Sequence, residues 1–475
     1  MAVRLTASGA CALVSALVVC SAAAPSPADL DAALRTQIAA DHVPGLAFAV
    51  VRSGRIVRTG AYGFANLEWK APVSIHTRFE IASLSKMFVG AAVRILIEDG
   101  KLNPDTPVGA YFHGVPDAWR DMKIRHLITM SSGLPEDFAS ELIPYDQDVT
   151  TPYDDGSMVR AFFTLKMAAP VGARFVYSSP NYAMLGMTVA NLAKQPYAQF
   201  VRERIFSPAG MTESSIIDNE VVVPERAEGY RRASSGEIRK GRYLGQYLHA
   251  RPDDGVLTSA GDLARWLIAL QDRRIVRDPE KLWDATSSDT GRPLDYAYGW
   301  FQDTWLGHRR QQHSGGLRTG FHTFIARYPD DDLGVVVLTN CDFSPIRDYV
   351  DLIARQYIAG VSDPGAEMKS PDANPAETQQ AIHALQTLIG GSIDAALMDP
   401  DAVEPIGLDE IAGFLKGAAD VRYAGRGTLQ GDGLTMHGHR LVSYVTLAMQ
   451  LEGRTQFVTL YRDASRKFAY LEATN

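Results

Sequence analysis

This chain of 475 residues has few cysteines, few long apolar runs and no excess of basic residues. Its three cysteines are Cys11, Cys20 and Cys341, and the first two fall within an unusual N-terminal stretch. Cys341 therefore has no partner for an intramolecular disulfide in the remainder of the chain, and no cysteine cluster is available to bind a metal. We expect the fold to depend on its hydrophobic core.

The charge balance excludes several classes of binding protein. Lys and Arg total 47 against 55 for Asp and Glu, so the formal net charge is −8. Proteins that bind nucleic acid or anionic membrane surfaces usually carry a basic excess, which is missing here. The sequence also has no zinc finger, no P-loop and no GxGxxG motif after a strand. With 46% hydrophobic and 21% charged residues, the composition is typical of a globular protein.

The first 24 residues have the pattern of a targeting segment. Arg4 precedes an apolar run over residues 10–19, and small residues follow at 21–24. This order is typical of a secretory signal peptide, and the run is too short to favour a membrane span. We expect a signal peptide over 1–24 and a secreted or periplasmic bacterial protein, in preference to a structural N-terminal helix. Lipoprotein anchoring at Cys20 is disfavoured, because a valine precedes this cysteine where a small residue is expected.

A stretch rich in proline and glycine divides the rest of the chain. It predicts a large unit over 25–360, a linker over 361–376 and a smaller α+β unit over 377–475. Strand patterns lie at both ends of the large unit and helical patterns fill its middle. This arrangement favours an α+β fold over a parallel doubly wound sheet. The smaller unit has no Ser/His/Asp constellation, so we interpret it as an accessory packing or binding module.

The hydrophobic periodicity places the main elements. Predicted helices span 30–40, 83–98, 181–192, 263–270 and 348–358, and predicted strands span 45–51, 55–60, 299–301, 321–327 and 334–340. In the smaller unit a helix over 377–388 precedes strands over 421–429, 440–451, 455–462 and 467–472. Turns are predicted at Ser53-Gly54, at 431–433 and at 452–453.

Ser83 and Lys86 stand at the start of the helix predicted over 83–98. Residues three apart lie on one face of a helix, so the lysine ammonium can reach the serine hydroxyl. A serine is a poor nucleophile until a neighbour takes its proton, and a desolvated lysine can do this or lower the pKa of another base. The alternative is an ordinary capped helix with a surface lysine, since one S-x-x-K match also arises by chance.

Tyr177 precedes the helix predicted over 181–192. A tyrosine near cations can lose its proton below its usual pKa of about 10 and act as a base. The alternative is a core or rim aromatic residue without a chemical role.

A third segment, His313-Ser314-Gly315-Gly316, comes just before the strand predicted over 321–327. Glycines here let a substrate backbone approach closely. A backbone N–H near Gly316, together with that of Ser83, could form an oxyanion hole. The alternative is a simple turn that leads into the strand.

In order and separation, these segments match S-x-x-K, Y-x-N and K/H-T/S-G, and the sequence resembles the serine β-lactamase and penicillin-recognising superfamily. It is most similar to the group of class C β-lactamases, D-Ala-D-Ala carboxypeptidases and family VIII esterases. Further similar segments are Val43-Pro44-Gly45, Ile124–Thr129 with Ser131–Pro135, Phe206–Met211, and Gly255–Ser259 before Asp262-Leu263-Ala264. The resemblance covers about residues 28–360. It implies a β-lactamase/transpeptidase-like domain, with an antiparallel sheet flanked by helices and a helical lobe.

The resemblance also implies roles for individual residues. Ser83 would be the acylated nucleophile, Lys86 would assist its deprotonation, and Tyr177 would be the general base and later the acid. The residues expected to contact substrate or the oxyanion are Ser179, His313, Ser314, Gly315 and Gly316. No metal or organic cofactor is implied. The expected partner is a small-molecule or peptide substrate, not nucleic acid, and the oligomeric state stays open.

Two positions depart from the family pattern. Ser179 occupies the usual Asn position, and a hydroxyl has one donor where an amide both donates and accepts in fixed directions. His313 replaces the lysine of true β-lactamases, and as a cation it would orient a substrate carboxylate or tune the tyrosine base. Arg318 is either a second charge for that carboxylate or a surface residue. We therefore expect a secreted serine hydrolase that acts on amides, peptides or esters. The alternatives are a class C-like β-lactamase and a penicillin-binding or sensor-type protein with slow or no turnover.

Overall fold

The computed structural model describes residues 27–137, 142–144, 147–149, 154–359, 361, 371–403, 408–429, 435–436, 439–451 and 454–474. The signal peptide predicted at 1–24, Cys20, residues 362–370 of the predicted linker and the turns predicted at 431–433 and 452–453 lie outside the described residues. Within the described ranges, no helix combines the length and apolar character that crossing a bilayer requires.

The helices lie where the apolar periodicity predicts the longer ones, with small differences at their ends. They are α1 Pro27–Asp41, α2 Ser85–Glu98, α3 Ile124–Ile128, α4 Asp155–Phe162, α5 Ser179–Ala193, α6 Tyr197–Val201, α7 Ser207–Ala209, α8 Gln246–His249, α9 Ala260–Gln271, α10 Ile346–Ala354, α11 Pro375–Ile389 and α12 Leu408–Phe414. Local caps explain several of these ends. The Ser259 side chain accepts the Asp262 N–H at the start of α9, and α5 ends at Lys194 in the left-handed conformation.

The strands form antiparallel sheets. They are β1 Gly45–Arg52, β2 Arg55–Asn66, β3 Ala71–Pro72, β4 Phe79–Glu80, β5 Ser215–Ile216, β6 Tyr230–Arg232, β7 Ile238–Lys240, β8 Val256–Thr258, β9 Thr286–Ser287, β10 Pro293–Leu294, β11 Tyr296–Ala297, β12 Trp300–Trp305, β13 His308–Leu317, β14 Phe321–Tyr328, β15 Leu333–Thr339, β16 Ala419–Thr428, β17 Thr435–Met436, β18 His439–Leu451, β19 Arg454–Asp463 and β20 Phe468–Thr474. The main sheet has the order β11-β12-β13-β14-β15-β1-β2-β3. Strands from both ends of the large unit therefore meet in one sheet, which confirms the predicted α+β class.

Both faces of the main sheet are buried. Along β1, Leu46, Phe48 and Val50 join the cluster that packs with α1 and α10. The alternate residues Ala47 and Ala49 join the larger cluster that includes α2, α5 and α9. Because successive side chains of a strand point to opposite faces, β1 lies between two apolar layers. The Ser53-Gly54 turn, with both residues at positive φ, closes the β1–β2 hairpin as predicted.

Strand β13 is the main departure from the sequence prediction. The segment from His313 to Gly316 was expected before a strand, or in a turn, but it lies inside β13. There Ser314 pairs with Phe324 and Gly316 pairs with His322 of β14. Polar residues and two adjacent glycines conceal this strand in the sequence, because neither type has a strong β propensity. The middle region, expected to be mostly helical, also contains the small β4-β8-β5 sheet.

The smaller unit is a second antiparallel sheet, of order β16-β18-β19-β20, with β17 paired to β18. Helix α11 packs on one face of this sheet through Ala381, Leu385 and Leu388. The sheet meets the large unit at the β12–β13 hairpin, where Arg310 Nη2 lies 3.5 Å from Glu472 Oε1. The additional C-terminal sheet predicted from the strand patterns is therefore present, and it contacts the strand that carries His313.

Candidate active site

Ser83 lies in a single 3-10 turn, Ala82–Leu84, between β4 and α2. Hydrogen bonds fix this turn from two sides. Val256 O of β8 accepts the Ile81 N–H at 3.1 Å, and Thr323 Oγ1 of β14 donates to Ile81 O at 2.9 Å. The serine is therefore held where the small sheet, the main sheet and the buried helix α2 meet.

The backbone before the nucleophile has an unusual conformation. Ala82 has φ +52°, in the left-handed region that an L-residue seldom adopts. Its side chain is buried with Leu244 and Leu317. A Cβ on Gly315 would lie 2.2 Å from Ile81 O and 3.1 Å from Ala82 Cβ, whereas one on Gly316 would meet open space. Gly315 therefore allows β13 to pack against the nucleophile turn, and Gly316 leaves room beside it.

Lys86 contacts Ser83 as the spacing predicts, with its Nζ 2.9 Å from Ser83 Oγ. The lysine is fully buried, and its Nζ also lies 3.4 Å from Asp254 Oδ1 and 3.8 Å from Asp253 Oδ2. Burial alone would lower the pKa of Lys86, but the nearby carboxylates outweigh it and hold the pKa above its usual value. At neutral pH Lys86 is an ammonium that donates to the serine.

Asp254 was missed by the sequence analysis although it touches the nucleophile. The Ser83 hydroxyl donates to Asp254 Oδ1 at 3.0 Å. Burial would raise the pKa of Asp254, yet Lys86 and Arg251 lower it below its usual value. The available signal was the pair Asp253-Asp254, two consecutive acids directly before the family-like segment Gly255–Ser259.

A buried ionic cluster stabilises the loop that carries Asp254. Arg251 donates two 3.0 Å hydrogen bonds to Asp253 and a 2.7 Å bond to Asp137, and all three side chains are inaccessible to solvent. Burial raises the pKa of Asp253 to about 6, although the positive charge of Arg251 acts to lower it.

No group of three or more His, Cys, Asp or Glu side chains in the described part of the chain is arranged to hold a metal ion.

Tyr177 lies beside the same serine. Its hydroxyl interacts with Ser83, and Lys86 Nζ lies 5.4 Å from its ring centroid. The ring also stacks on Phe301, with centroids 6.2 Å apart. Burial raises the pKa of Tyr177 to about 12 despite the charge of Lys86. The expectation of a lowered tyrosine pKa is therefore wrong, because desolvation exceeds the effect of the cation.

His313 lies next to Tyr177 in an aromatic environment, but it is not a cation. Burial, reinforced by the charge of Lys86, lowers its pKa to about 3. Its Nδ1 is 2.6 Å from Ser314 O, which can only accept, so Nδ1 carries the hydrogen. Its Nε2 is then an acceptor for the Tyr296 hydroxyl at 3.2 Å. The expectation of a histidine cation that orients a carboxylate is wrong for this site.

Ser179 and Arg318 are both buried and hydrogen-bonded near the site. Ser179 Oγ donates to Glu136 Oε2 at 3.0 Å, and its N–H donates to the same oxygen at 3.2 Å. Burial and the neighbouring Asp137 raise the pKa of Glu136 to about 8. Arg318 is only 2% exposed and donates to the backbone carbonyls of Pro144 and Gln147. Arg318 is thus not a surface residue, and it binds backbone next to the site.

The chain matches the β-lactamase family model over residues 30–358. Among curated relatives, protein flp of Staphylococcus aureus strain MRSA252 is 26% identical over 351 residues, which cover 70% of this chain and 66% of the relative. Penicillin-binding protein 4* of Bacillus subtilis is 28% identical over 326 residues, which cover 64% of this chain and 70% of the relative. The chain thus spans slightly less than two thirds of protein flp.

Solved structures match the fold. A penicillin-binding protein from Bacillus halodurans aligns with TM-score 0.57 and 26% identity, over 68% of this chain and 97% of that one. An octameric penicillin-binding protein homologue from Pyrococcus abyssi aligns with TM-score 0.60 and 20% identity, over 91% and 96%. A D-amino acid amidase from Ochrobactrum anthropi SV3, complexed with L-phenylalanine amide, aligns with TM-score 0.59 and 22% identity, over 69% and 97%. The last two are similar in fold alone. With the family model spanning the unit that carries Ser83 and Lys86, the chain belongs to the β-lactamase family.

Proposed function

We propose that this protein is a serine hydrolase that forms an acyl-enzyme through Ser83 and acts on amide, peptide or ester substrates. The observation that carries the proposal is the 2.9 Å contact between Lys86 Nζ and Ser83 Oγ. A serine hydroxyl held by a buried ammonium is oriented for attack, and the cation stabilises the negative charge that develops there.

The reaction follows from the groups around the serine. Ser83 Oγ attacks the substrate carbonyl carbon, and the oxyanion accepts from the Ser83 N–H and from a backbone N–H near Gly316. The amine or alcohol then leaves with a proton, and water releases the acyl group. Tyr177 keeps its proton at neutral pH, since burial raises its pKa to about 12. It is therefore placed to donate to the leaving group.

The site favours amides, peptides and esters over β-lactams. The Ser179 hydroxyl donates to Glu136 in the resting site, so a substrate carbonyl would have to compete with Glu136 for that donor. His313 is neutral, because burial lowers its pKa to about 3, and cannot replace the lysine of β-lactamases as a charge for the substrate carboxylate. The amidase among the fold neighbours supports including amino acid amides in a substrate panel.

The test is turnover of a p-nitrophenyl ester by the wild type and by Ser83→Ala. We expect Ser83→Ala to lose about 10³-fold or more of the rate, as removal of an activated nucleophile does. Ser85→Ala is the matched control. It removes a buried hydroxyl two residues further along, at the start of α2, and this hydroxyl accepts the Val256 N–H at 3.0 Å. Wild-type turnover by Ser83→Ala would contradict the proposal.

A penicillin-binding protein with slow turnover is the second candidate, favoured by the similarity to penicillin-binding protein 4*. Intact-mass spectrometry after incubation with a penicillin separates the candidates. A Ser83-dependent adduct that persists for hours, together with no ester turnover, would favour the binding protein. A short-lived adduct with rapid hydrolysis of a chromogenic cephalosporin would favour the β-lactamase alternative.

We also propose export from the cytoplasm, supported by the pattern of residues 1–24. Fractionation of cells that express the full chain, compared with a chain that lacks 1–24, tests this. Equal amounts of both chains in the cytoplasm would contradict export.

A further inference from the structure

Three groups around Ser83 are candidates to receive its proton, and their hydrogen bonds together with their protonation states distinguish them. Lys86 is an ammonium with three N–H donors and no lone pair, and it donates to Ser83 Oγ at 2.9 Å. Tyr177 retains its own proton, because burial raises its pKa to about 12. The hydrogen of the Ser83 hydroxyl points instead to Asp254, whose Oδ1 accepts it at 3.0 Å.

We propose that Asp254 is the general base that takes the proton from Ser83 during acylation, in a hydrolase of the kind proposed above. This inference rests on the proposed function, because it assigns a role at the same serine. It gives Lys86 an electrostatic role and Tyr177 the role of an acid, so that the proton moves along a hydrogen bond already present in the resting site.

Backbone hydrogen bonds and close packing fix the loop that carries Asp254. Its N–H donates to Arg251 O at 3.2 Å, and the Gly255 N–H donates to the same oxygen at 2.7 Å. A Cβ on Gly255 would lie 2.7 Å from Arg251 O, so only glycine fits this turn. The Arg251 side chain is in turn fixed by Asp253 and Asp137. A base pre-positioned by packing costs little reorganisation when the reaction begins.

The charges that face Asp254 keep it ionised. Lys86 and Arg251 lower its pKa, although burial would raise it. Asp253 and Glu136 act against the ionised form when they are themselves ionised, and the neighbouring Tyr177 and His313 are neutral. Asp254 is 4% exposed, so its carboxylate is protected from bulk water while it remains charged.

The proton balance closes over one cycle. As the bond from Ser83 Oγ to the carbonyl carbon forms, the O–H proton moves to Asp254, which becomes a carboxylic acid. The bond to the leaving amine or alcohol then breaks, and the leaving atom departs with one proton, given by Tyr177 or by Asp254 itself. When Tyr177 gives it, the proton on Asp254 restores the tyrosine. In deacylation Asp254 takes a proton from the attacking water and returns it to Ser83.

The experiment measures the acylation rate of a p-nitrophenyl ester by stopped flow from pH 6 to 9. A base that is already ionised gives the wild type a flat profile. Asp254→Asn keeps the shape of the side chain but cannot take the proton, so we expect acylation at least about 100-fold slower. The residual rate should rise with pH, because the remaining bases, Lys86 and Tyr177, must first lose a proton.

Asp262→Asn is the matched control, because it removes a fully buried carboxylate whose side-chain hydrogen bonds go to Ser214 and Arg265 and not to Ser83 or Lys86. We expect its acylation rate to fall by less than about 10-fold and its profile to stay flat. Asp254→Ala with added formate extends the test, since a small carboxylate in the vacated space should restore activity. This rescue remains informative if Asp254→Asn is unstable.

The outcomes separate the two proposals. If Ser83→Ala retains ester turnover, the proposed function fails. If Ser83→Ala is inactive while Asp254→Asn acylates within about threefold of the wild type with a flat profile, Asp254 is not the base. Loss of acylation in Tyr177→Phe, with Asp254→Asn active, would assign the base to Tyr177. Absence of formate rescue in a folded Asp254→Ala would likewise overturn the inference.

Discussion

Two buried ionic clusters in this molecule are built alike, but only one of them touches a nucleophile. In the first, Arg251 pairs with Asp137 and Asp253, and Lys86 Nζ lies 3.8 Å from Asp253 and 3.4 Å from Asp254, so the cluster includes both groups that contact Ser83. In the second, Arg310 donates 2.8 and 2.9 Å hydrogen bonds to Asp303 and lies 3.5 Å from Glu472 of the smaller unit. The arginines are 1% and 3% exposed. Burial and bidentate pairing are therefore common to both clusters.

The difference shows that a perturbed pKa does not identify an active site. Burial raises the pKa of Glu472 to about 8, as it does for Glu136 near Ser83. Yet Glu472 accepts from the Tyr461 hydroxyl at 2.6 Å, within the contact between two sheets. Structural ion networks shift pKa values as strongly as catalytic ones do. What distinguishes the first cluster is a hydroxyl in contact with both an ammonium and a carboxylate.

Replacing one cation by methionine in each cluster should give the largest contrast in acylation rate. We expect Lys86→Met to reduce acylation of a p-nitrophenyl ester by about 10³-fold, since the charge that stabilises the reacting oxygen is lost. Arg310→Met should leave the rate per folded molecule within about twofold of the wild type, because the contacts of Arg310 go to Asp303 and Glu472 and not to Ser83 or Lys86. Stopped-flow bursts normalised to folded protein measure both. Equal losses in the two variants would remove the functional distinction between the clusters.

Removing the arginine of the second cluster should lower the stability of the protein. Arg310→Met leaves the Asp303 carboxylate, whose side chain is only 13% exposed, without its cation. This should lower the free energy of unfolding by up to about 3 kcal/mol. Arg309→Met is the control, because Arg309 pairs with Asp330 on the surface, where about half of each side chain is exposed. It should cost less than about 1 kcal/mol. Urea denaturation measures both, and similar costs would mean that burial does not matter here.

The pH dependence of protein stability should reveal the raised pKa of Glu472. Its pKa is about 8 in the folded protein, against about 4.3 in an unfolded chain. The folded state therefore binds this proton more tightly. The resulting stabilisation is fully present below about pH 4.3 and is lost as pH rises through 8. Relative to Glu472→Gln, the wild type should lose at least about 1.4 kcal/mol between pH 5 and 9, the equivalent of one pKa unit. A constant difference in urea denaturation over this range would contradict the shifted pKa.

Substitution of His313 should have the smallest effect on kcat/KM, although this residue lies on the same strand as Arg310 and near Lys86. Its pKa is lowered to about 3, so it does not change charge between pH 5 and 8. The pH profile of kcat/KM should be the same in that range for the wild type and His313→Asn. The rate itself should fall by less than about 10-fold, the effect of losing one neutral contact. A wild-type limb near pH 6.5 that disappears in the variant would show that His313 titrates.

The sequence predicted the elements with strong periodicity and the contact that depends on helical spacing. The apolar pattern after Ser83 gave helix α2, and the i,i+3 relation gave the contact of Lys86 with Ser83. Strand β13 was missed, because its pattern is polar and its glycines serve packing against the nucleophile turn. Asp254 was missed for a different reason. It comes from a loop 171 residues away from Ser83, and nothing local in the sequence encodes that approach.

The protonation states of the site residues were harder to predict from the sequence than which residues lie near one another. His313 and Tyr177 lie next to each other near Lys86, and their protonation differs from the expectation, since it depends on how deeply each is buried. Phe301 and Tyr296 pack against both rings and reduce their contact with water. Desolvation then opposes charge on either side chain, and no motif reports its extent.

The left-handed backbone at Ala82 has a consequence for directed evolution. This conformation costs roughly 1–2 kcal/mol in an L-residue, so glycine is an easy route to relieve it. The alanine methyl, however, is buried between Leu244 and Leu317, and it holds the turn that presents Ser83. A library selected only for heat resistance should accept glycine at this position, whereas one selected for turnover should retain alanine.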